Sequence, residues 1–183
     1  NFSQEWGIYG SVNGILFDLG VSSYHFDYAE RGFSFNGNAK IDMRFDQTRG
    51  QAASDWLNSA SESDIADVIW KYGEEKYSRR IAKKIVSERN NAQIKTTLEL
   101  ANLVSNVIPY TKNRKHKATK TFQAIRIYTN NELDILKKTL FKSYSILAPK
   151  GRLVLITYHS LEDKVIKTVE ASKLAGSIVV LKG

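Results

Sequence analysis

The sequence predicts an α/β fold in which a block of helices is inserted between two strands of a parallel sheet. Two short apolar runs, residues 14–20 and 152–158, have the continuous hydrophobicity of buried parallel strands. A helical pattern leads directly into the second run, which is typical of an α/β sheet. The helical patterns between the strands place an inserted domain at 46–129, so residues 1–45 and 130–183 are expected to form the sheet domain.

The first predicted strand ends in a polar turn. Its apolar residues are followed by Asp18 and Gly20, so the carboxyl end of the strand carries a carboxylate into a loop. Residues 22–38 then hold aromatic side chains among Gly, Ser and Asn, with no helical or strand period. Aperiodic loops of this length are often functional, which makes the segment a candidate part of a site.

Capping patterns and apolar faces predict the helices. Helices are expected to begin at Ser61, Thr96 and Ser160, where a serine or threonine is followed by an acidic residue two or three positions later. Residues 133–147 form one apolar helical face that ends just before the second strand. Residues 176–181 are a candidate last strand.

The composition excludes several kinds of chemistry. The 183 residues include no cysteine, which rules out disulfides, thiolate metal sites and a cysteine nucleophile. The three histidines are far apart and lack a zinc-binding spacing, so no metal site is expected. No apolar run approaches the roughly 18–20 residues of a membrane-spanning helix, and the N-terminus lacks the pattern of a signal peptide. We therefore expect no membrane partner.

A basic excess predicts a phosphate-rich partner. The chain has 27 Lys and Arg against 19 Asp and Glu, which gives a net charge of +8. The stretch 100–131 contains no acidic residue and holds six cations that are the candidate RNA-binding residues: Lys112, Arg114, Lys115, Lys117, Lys120 and Arg126. A second basic run, 76–89, lies on a predicted helix, where an ordinary solvated face is the alternative interpretation.

Polar residues follow both predicted strands. Asp18 ends the first strand, and His159 follows the second within the segment 157–163. Ligands of open α/β sheets bind outside the carboxyl ends of the strands, so Asp18 and His159 would face one crevice if the strands are neighbours. The alternative is that Asp18 caps a turn and Ser160 caps a helix.

Five motifs, in order along the chain, resemble those of a known family. They are G-I-L-F-D-L-G-V-S-S at 14–23, E-R-G-F-S-F at 30–35 with D-M-R at 42–44, Y-G-E-E at 72–75, A-T-K-T-F-Q-A-I-R-I at 118–127, and G-R-L at 151–153 with Y-H-S-L-E-D at 158–163. The family is the small-subunit ribosomal RNA methyltransferase H group, also called MraW. Its own form of the last motif has Phe where this chain has Tyr158.

The resemblance implies a fold, an activity and a partner. It implies a Rossmann-like, S-adenosylmethionine-dependent methyltransferase sheet, here partial, with an inserted helical domain that recognises substrate. Members of the family N4-methylate a cytidine in small-subunit rRNA, so the resemblance implies this enzyme activity, S-adenosylmethionine as cofactor and small-subunit rRNA as partner. It also implies the bacterial cytoplasm, with an organelle as the alternative. The oligomeric state stays open, a homodimer included.

The resemblance also assigns roles to three residues. Phe2 resembles the aromatic residue near the adenine, and Asp18 resembles the acid that lines the cofactor pocket. His25 occupies the position where the family often has a glutamine that contacts the cofactor. The alternatives are a core aromatic for Phe2 and a plain loop residue for His25.

One departure from the family concerns the cofactor loop. The family's Gly-rich loop after its first strand is not among these 183 residues, because Gly7, Gly10 and Gly14 lack its spacing. We therefore expect the 183-residue chain by itself to bind S-adenosylmethionine weakly or not at all. Two interpretations stay open: a methyltransferase shown without this loop, or a non-catalytic RNA-binding or ribosome-assembly protein on the same scaffold.

The chemistry of cytosine N4 places a demand on the site. The N4 lone pair is delocalised into the ring, so the enzyme must align the amine with the methyl group and accept a proton from it. Asp18 is the first candidate for this acceptor, since the D-P-P-Y motif of many amino-methyltransferases is replaced here by D-L-G-V-S-S. His159 is the second catalytic candidate, either as a hydrogen-bond partner of the base or as the residue that orients Asp18.

Overall fold

The computed structural model describes residues 7–35, 37–110, 116–171 and 178–183. The chain divides into two compact units, one formed by Asn1–Gly20 and Glu132–Gly183 and the other by Val21–Asn131. The elements in chain order are β1 (Val12–Asp18), α1 (Ser23–Asp27), α2 (Ala53–Ser59), α3 (Glu62–Gly73), α4 (Ser78–Arg89), α5 (Thr97–Val107), α6 (Thr119–Thr129), α7 (Glu132–Ile146), β2 (Leu147–Thr157), α8 (Ser160–Val169) and β3 (Ile178–Lys182). The predicted α/β class is confirmed.

The first unit is a three-stranded parallel sheet in the order β1-β2-β3. Leu153 and Leu155 of β2 are buried with apolar residues of α7 and α8, such as Leu140 and Ile166. The alternate side chain on β1, Leu16, is 64% exposed, so these two helices cover one face of the sheet in the part of the chain that the structure describes.

The second strand is longer than predicted. It begins at Leu147 rather than at residue 152, so Pro149, Lys150 and Gly151 lie inside it. This part of the strand is irregular, because Lys150 has φ of 68° and the register with β1 shifts between Val12 and Gly14. From Gly14 onward the register is regular, and it sets Asp18 opposite Ile156.

The second unit is a helical core. Isoleucines of α3 and α4, such as Ile65, Ile69 and Ile81, are fully buried together with Ile125 of α6. A Cβ atom on Gly73, in the last turn of α3, would lie 2.6 Å from the Lys120 carbonyl oxygen, so glycine permits this close approach of α3 and α6. Helix α6 was not predicted, because its buried face includes Thr121 and Ala124, which weaken the apolar period.

The boundary between the units differs from the predicted one. The expected helical domain was 46–129, but residues 21–45 also belong to the helical unit. Phe33, Ile41 and Met43 are buried in its core, and Lys40 forms an isolated antiparallel bridge with Thr96. Residues 21–45 have no helical or strand period that would predict this packing. We therefore expected them in the sheet domain.

The predicted helix caps at Thr96 and Ser61 are present. Thr96 Oγ1 accepts a hydrogen bond from the Glu99 backbone N–H at 3.3 Å, and Glu99 Oε2 accepts from the Thr96 N–H at 3.0 Å. Ser61 caps α3 in the same way, through the Asp64 N–H. Of the helices in the described ranges, none combines the length and the apolarity needed to span a membrane.

Candidate functional site

Asp18 lies at the carboxyl edge of the sheet. It is the last residue of β1, its side chain is exposed, and β2 runs parallel beside it. The hydrogen bonding to β2 extends one residue beyond Asp18, since the Leu19 N–H donates to the Ile156 carbonyl at 3.1 Å. It then turns at Gly20, whose φ of 91° favours glycine. The predicted neighbourhood of the two strand ends is therefore present.

Tyr158 makes the direct contact with Asp18. Its phenolic oxygen donates a hydrogen bond to Asp18 Oδ1 at 2.9 Å. This hydrogen bond, together with the negative charge of Asp18, raises the pKa of the Tyr158 phenol above its usual value. The ring lies against the backbone of Gly20 and Gly183, where a Cβ atom would contact it. The Tyr158 ring is therefore positioned over the turn that follows Asp18.

His159 lies one residue further along the chain and contacts a different carboxylate. Its Nε2 atom is 3.2 Å from Oε1 of Glu162, and the His159 side chain is 13% exposed. The other Glu162 oxygen accepts hydrogen bonds from the backbone N–H groups of Tyr158 at 2.8 Å and His159 at 3.3 Å. Glu162 is buried, so these contacts fix the chain between β2 and α8. The sequence offered two roles for His159, as a hydrogen-bond partner of the base or as the residue that orients Asp18. The structure gives the contact with Asp18 to Tyr158.

The signal for Tyr158 was present in the sequence. The chain differs from the F-H-S-L-E-D pattern of the resembled family by one hydroxyl group, and that hydroxyl group is the one that reaches Asp18. A tyrosine at the end of a buried strand has a hydrogen-bonding end on an otherwise apolar ring. The imidazole of His159 is the more polar group of the motif, and it was therefore the residue predicted to act with Asp18.

His25, a predicted cofactor contact, lies in an aromatic cluster of the helical unit. Its ring centroid is 5.0 Å from that of Phe33 and 5.2 Å from that of Phe45, and Nδ1 is 2.9 Å from Ser22 Oγ. Burial, and then the positive charge of Arg31, lower the pKa of His25 below 6.5. His25 is therefore neutral at pH 7 and can accept or donate one hydrogen bond. Phe2 lies outside the described residues.

Three of the six candidate RNA-binding cations are described, and two of them contact helix ends. Lys117 Nζ donates to the Ser105 carbonyl at 3.2 Å, and Lys120 Nζ donates to the Glu74 carbonyl at 2.9 Å. Both carbonyls lie in or just after the last turn of a helix, where a cation is favourable. Arg126 is half-buried and lines a cavity of about 260 Å³ with aromatic side chains such as Phe33 and Phe122. Lys112, Arg114 and Lys115 lie outside the described residues.

No cluster of three or more His, Asp or Glu side chains suited to a metal ion occurs among the residues that the structure describes. The site at the sheet edge instead consists of an exposed carboxylate, a phenol and a glycine turn. The carboxylate and the phenol can form hydrogen bonds, and the carboxylate can accept a proton, but the two groups do not make a set of metal ligands.

A parallel α/β sheet with a polar site at its carboxyl edge is the architecture of a Rossmann-like enzyme scaffold. The protein therefore falls into the class of α/β proteins whose ligands bind beyond the ends of the strands. A model of the MraW methylase family matches residues 2–179, and the chain belongs to that family. The fold is accordingly a partial Rossmann-like methyltransferase fold, and the resemblance seen in the sequence motifs is confirmed.

Proposed function

We propose that the protein transfers a methyl group from S-adenosylmethionine to N4 of a cytidine in small-subunit rRNA. The observation that carries the proposal is the exposed Asp18 carboxylate at the carboxyl end of β1, held by Tyr158 in a chain of the MraW methylase family. In methylases that act on an amine, a proton acceptor at the strand end is the group that the chemistry requires.

The residues at the sheet edge fit the proposed cofactor. An exposed carboxylate suits the hydroxyl and ammonium groups of S-adenosylmethionine, and Gly20 adds no side chain of its own to the turn after Asp18. Asp18 would hold the cofactor from the sheet edge, with Phe2 and His25 as the further proposed contacts. When bound, S-adenosylmethionine supplies a methyl group on a sulfonium, which is already an activated leaving group.

Asp18 is also the proposed acceptor of the N4 proton. A carboxylate that accepts a hydrogen bond from the amine draws electron density away from the ring and back to N4. Tyr158 restricts the rotation of this carboxylate, because its hydrogen bond occupies Oδ1. His159 contributes through Glu162, which fixes the chain that carries Tyr158.

The proposed substrate is RNA because of the charge of the chain. A net charge of +8 attracts a polyanion, and several cations of the helical unit are exposed. Lys112, Arg114, Lys115, Lys117, Lys120 and Arg126 are the proposed RNA contacts of the basic stretch. Lys117 and Lys120 each donate to one backbone carbonyl, and an ammonium group has further donors for a phosphate.

The proposal predicts a large effect of removing Asp18. In the protein as its gene encodes it, Asp18→Ala should reduce methyl transfer to small ribosomal subunits by about 10²-fold or more, the scale of a positioned acid–base group. Asp18→Asn should keep part of the cofactor binding, since the amide oxygen still accepts hydrogen bonds. Transfer of the labelled methyl group from S-adenosylmethionine to RNA measures the rate, and Asp134→Asn on α7 is the control. A near-normal rate for Asp18→Ala would contradict the assigned role, and RNA binding without any methyl transfer would favour the non-catalytic alternative.

A further inference from the structure

A cavity of about 330 Å³ lies at the junction of α3 and α4. Its lining includes the indole of Trp70 and three cations, and the cations are Lys76, Arg79 and Arg80. Trp70 is 60% exposed and lies on the outer side of α3, because Ile65, Val68 and Ile69 form its buried face. The ring therefore lines the cavity without being part of the helical core.

Two of the three cations of this cavity, Lys76 and Arg80, are held in place by Tyr77. Lys76 Nζ lies 5.0 Å from the centroid of the Tyr77 ring, and Arg80 Cζ lies 5.6 Å from it. The side chain of Glu75, the nearest carboxylate in sequence, is buried and accepts a hydrogen bond from the Tyr77 N–H at 3.0 Å. The Glu75 carboxylate therefore makes its hydrogen bond inside the fold.

The charge of the cavity favours an anionic ligand. Three cations line it against one carboxylate, that of Asp67. The positive lining continues along α4, where Lys83 lies one turn beyond Arg79 on the same side and is exposed. A row of exposed cations beside an exposed aromatic ring is the combination that binds single-stranded nucleic acid, because phosphates contact the cations while a base stacks on the ring.

We propose that this cavity binds one nucleotide of single-stranded RNA, with its base stacked on Trp70 and its phosphates on Lys76, Arg79 and Arg80. An acidic peptide would satisfy the cations but would leave the indole face without a planar partner. The RNA source, a small-subunit rRNA segment, rests on the proposed function. The site itself rests on the geometry of α3 and α4.

The test measures binding of a fluorescent uridine decamer to the chain by anisotropy at several salt concentrations. Trp70→Ala should weaken binding about 10-fold, within the range of one stacked base, and should leave the salt dependence unchanged. Trp70→Phe should lose less affinity, since it keeps an aromatic face. Because Trp70 is mostly exposed, both variants should retain the thermal unfolding transition of the wild type.

The phosphate contacts are tested by two variants that lose the same charge at different places on the chain. Replacing Arg79 and Arg80 with Gln should make the log–log salt slope shallower by about 1.4, or about 0.7 for each lost contact to a single strand. The matched control replaces Lys137 and Lys138, two exposed lysines of α7, with Gln. This control removes the same charge and should leave the slope nearly unchanged.

A duplex probe separates base stacking from charge. The same decamer paired with oligoadenosine has no free base, so Trp70→Ala should not change its affinity. The site is overturned if the wild-type chain does not bind the single strand, or if Trp70→Ala binds it as the wild type does. If decamer binding depends on Trp70 but the protein methylates no small-subunit RNA, the nucleotide site stands and the proposed function fails.

Discussion

At the scale of single residues, the pair Asp18–Tyr158 forms the proposed site at the sheet edge. A carboxylate at the end of a strand is free to rotate, and the 2.9 Å hydrogen bond from Tyr158 fixes one of its oxygens. The position of Asp18 could be predicted from the sequence, because an apolar run that ends in Asp predicts a polar strand end. Its partner could not, because a contact between residues 140 positions apart depends on the register of β1 with β2.

The raised pKa of Tyr158 gives a residue-scale prediction. Replacing Asp18 with Asn removes the negative charge, so the pKa of the Tyr158 phenol should fall toward its usual value of 10.0. A pKa that is raised in the folded state favours the neutral phenol there. The contact is therefore fully formed below pH 10 and is lost as the pH rises through the raised pKa.

Carbon-13 NMR of ring-labelled tyrosine measures this titration, and Tyr158→Phe assigns the resonance. Asp134→Asn removes one carboxylate from α7 and serves as the charge control. An identical Tyr158 titration in the wild type and in Asp18→Asn would show that the hydrogen bond does not exist in solution.

At the scale of elements, the aperiodic segment 39–50 is fixed by an ion pair. The buried carboxylate of Asp42 accepts hydrogen bonds from Arg44 Nε at 2.8 Å and Arg44 Nη2 at 2.9 Å, and from Gln47 Nε2 at 3.2 Å. Burial by itself would raise the pKa of Asp42, but the hydrogen bonds from Arg44 and Gln47 outweigh it and lower the pKa. These contacts hold a segment that has no period of its own.

Asp42→Asn should therefore destabilise the protein in a pH-dependent way. At pH 7 the free energy of unfolding should fall by about 1.5–3 kcal/mol, the range for a hydrogen bond to a charged group. Because the pKa of Asp42 in the folded state lies below 3.8, its contribution is fully present above that pH and is lost as the pH falls through the folded value. The difference between wild type and variant should therefore shrink below about pH 3.8.

Urea unfolding at pH 7, 5 and 3 measures the difference. The control is Asp134→Asn, which removes an exposed carboxylate of α7 and should change the stability little at all three pH values. A loss of stability in Asp42→Asn that is the same at pH 3 and pH 7 would contradict this account.

The elements predicted correctly are those whose sequence patterns are local. The two predicted strands and the Thr96–Glu99 capping box are present, because strand burial and helix capping depend on residues close in sequence. Helix α6 and the packing of residues 21–45 were missed. Both depend on long-range contacts, such as the close approach of Gly73 to Lys120 and the burial of Met43 in the helical core.

At the scale of the whole molecule, the two compact units carry different candidate functional residues. The sheet unit carries Asp18, the proposed proton acceptor, and the helical unit carries exposed cations and aromatic rings such as Trp70. The family match spans both units, since it covers residues 2–179. The proposed division is therefore chemistry on the sheet edge and RNA recognition on the helices.

The most direct test of the central claim is the identity of the modified nucleoside. Small ribosomal subunits from cells that lack the gene are incubated with S-adenosylmethionine and the protein as its gene encodes it, and the RNA is digested and analysed by mass spectrometry against synthetic standards. Methylation at cytosine N4 that depends on Asp18 is the predicted result. A methyl group on another atom or base, or RNA left unmodified while the protein remains bound to it, would contradict the account.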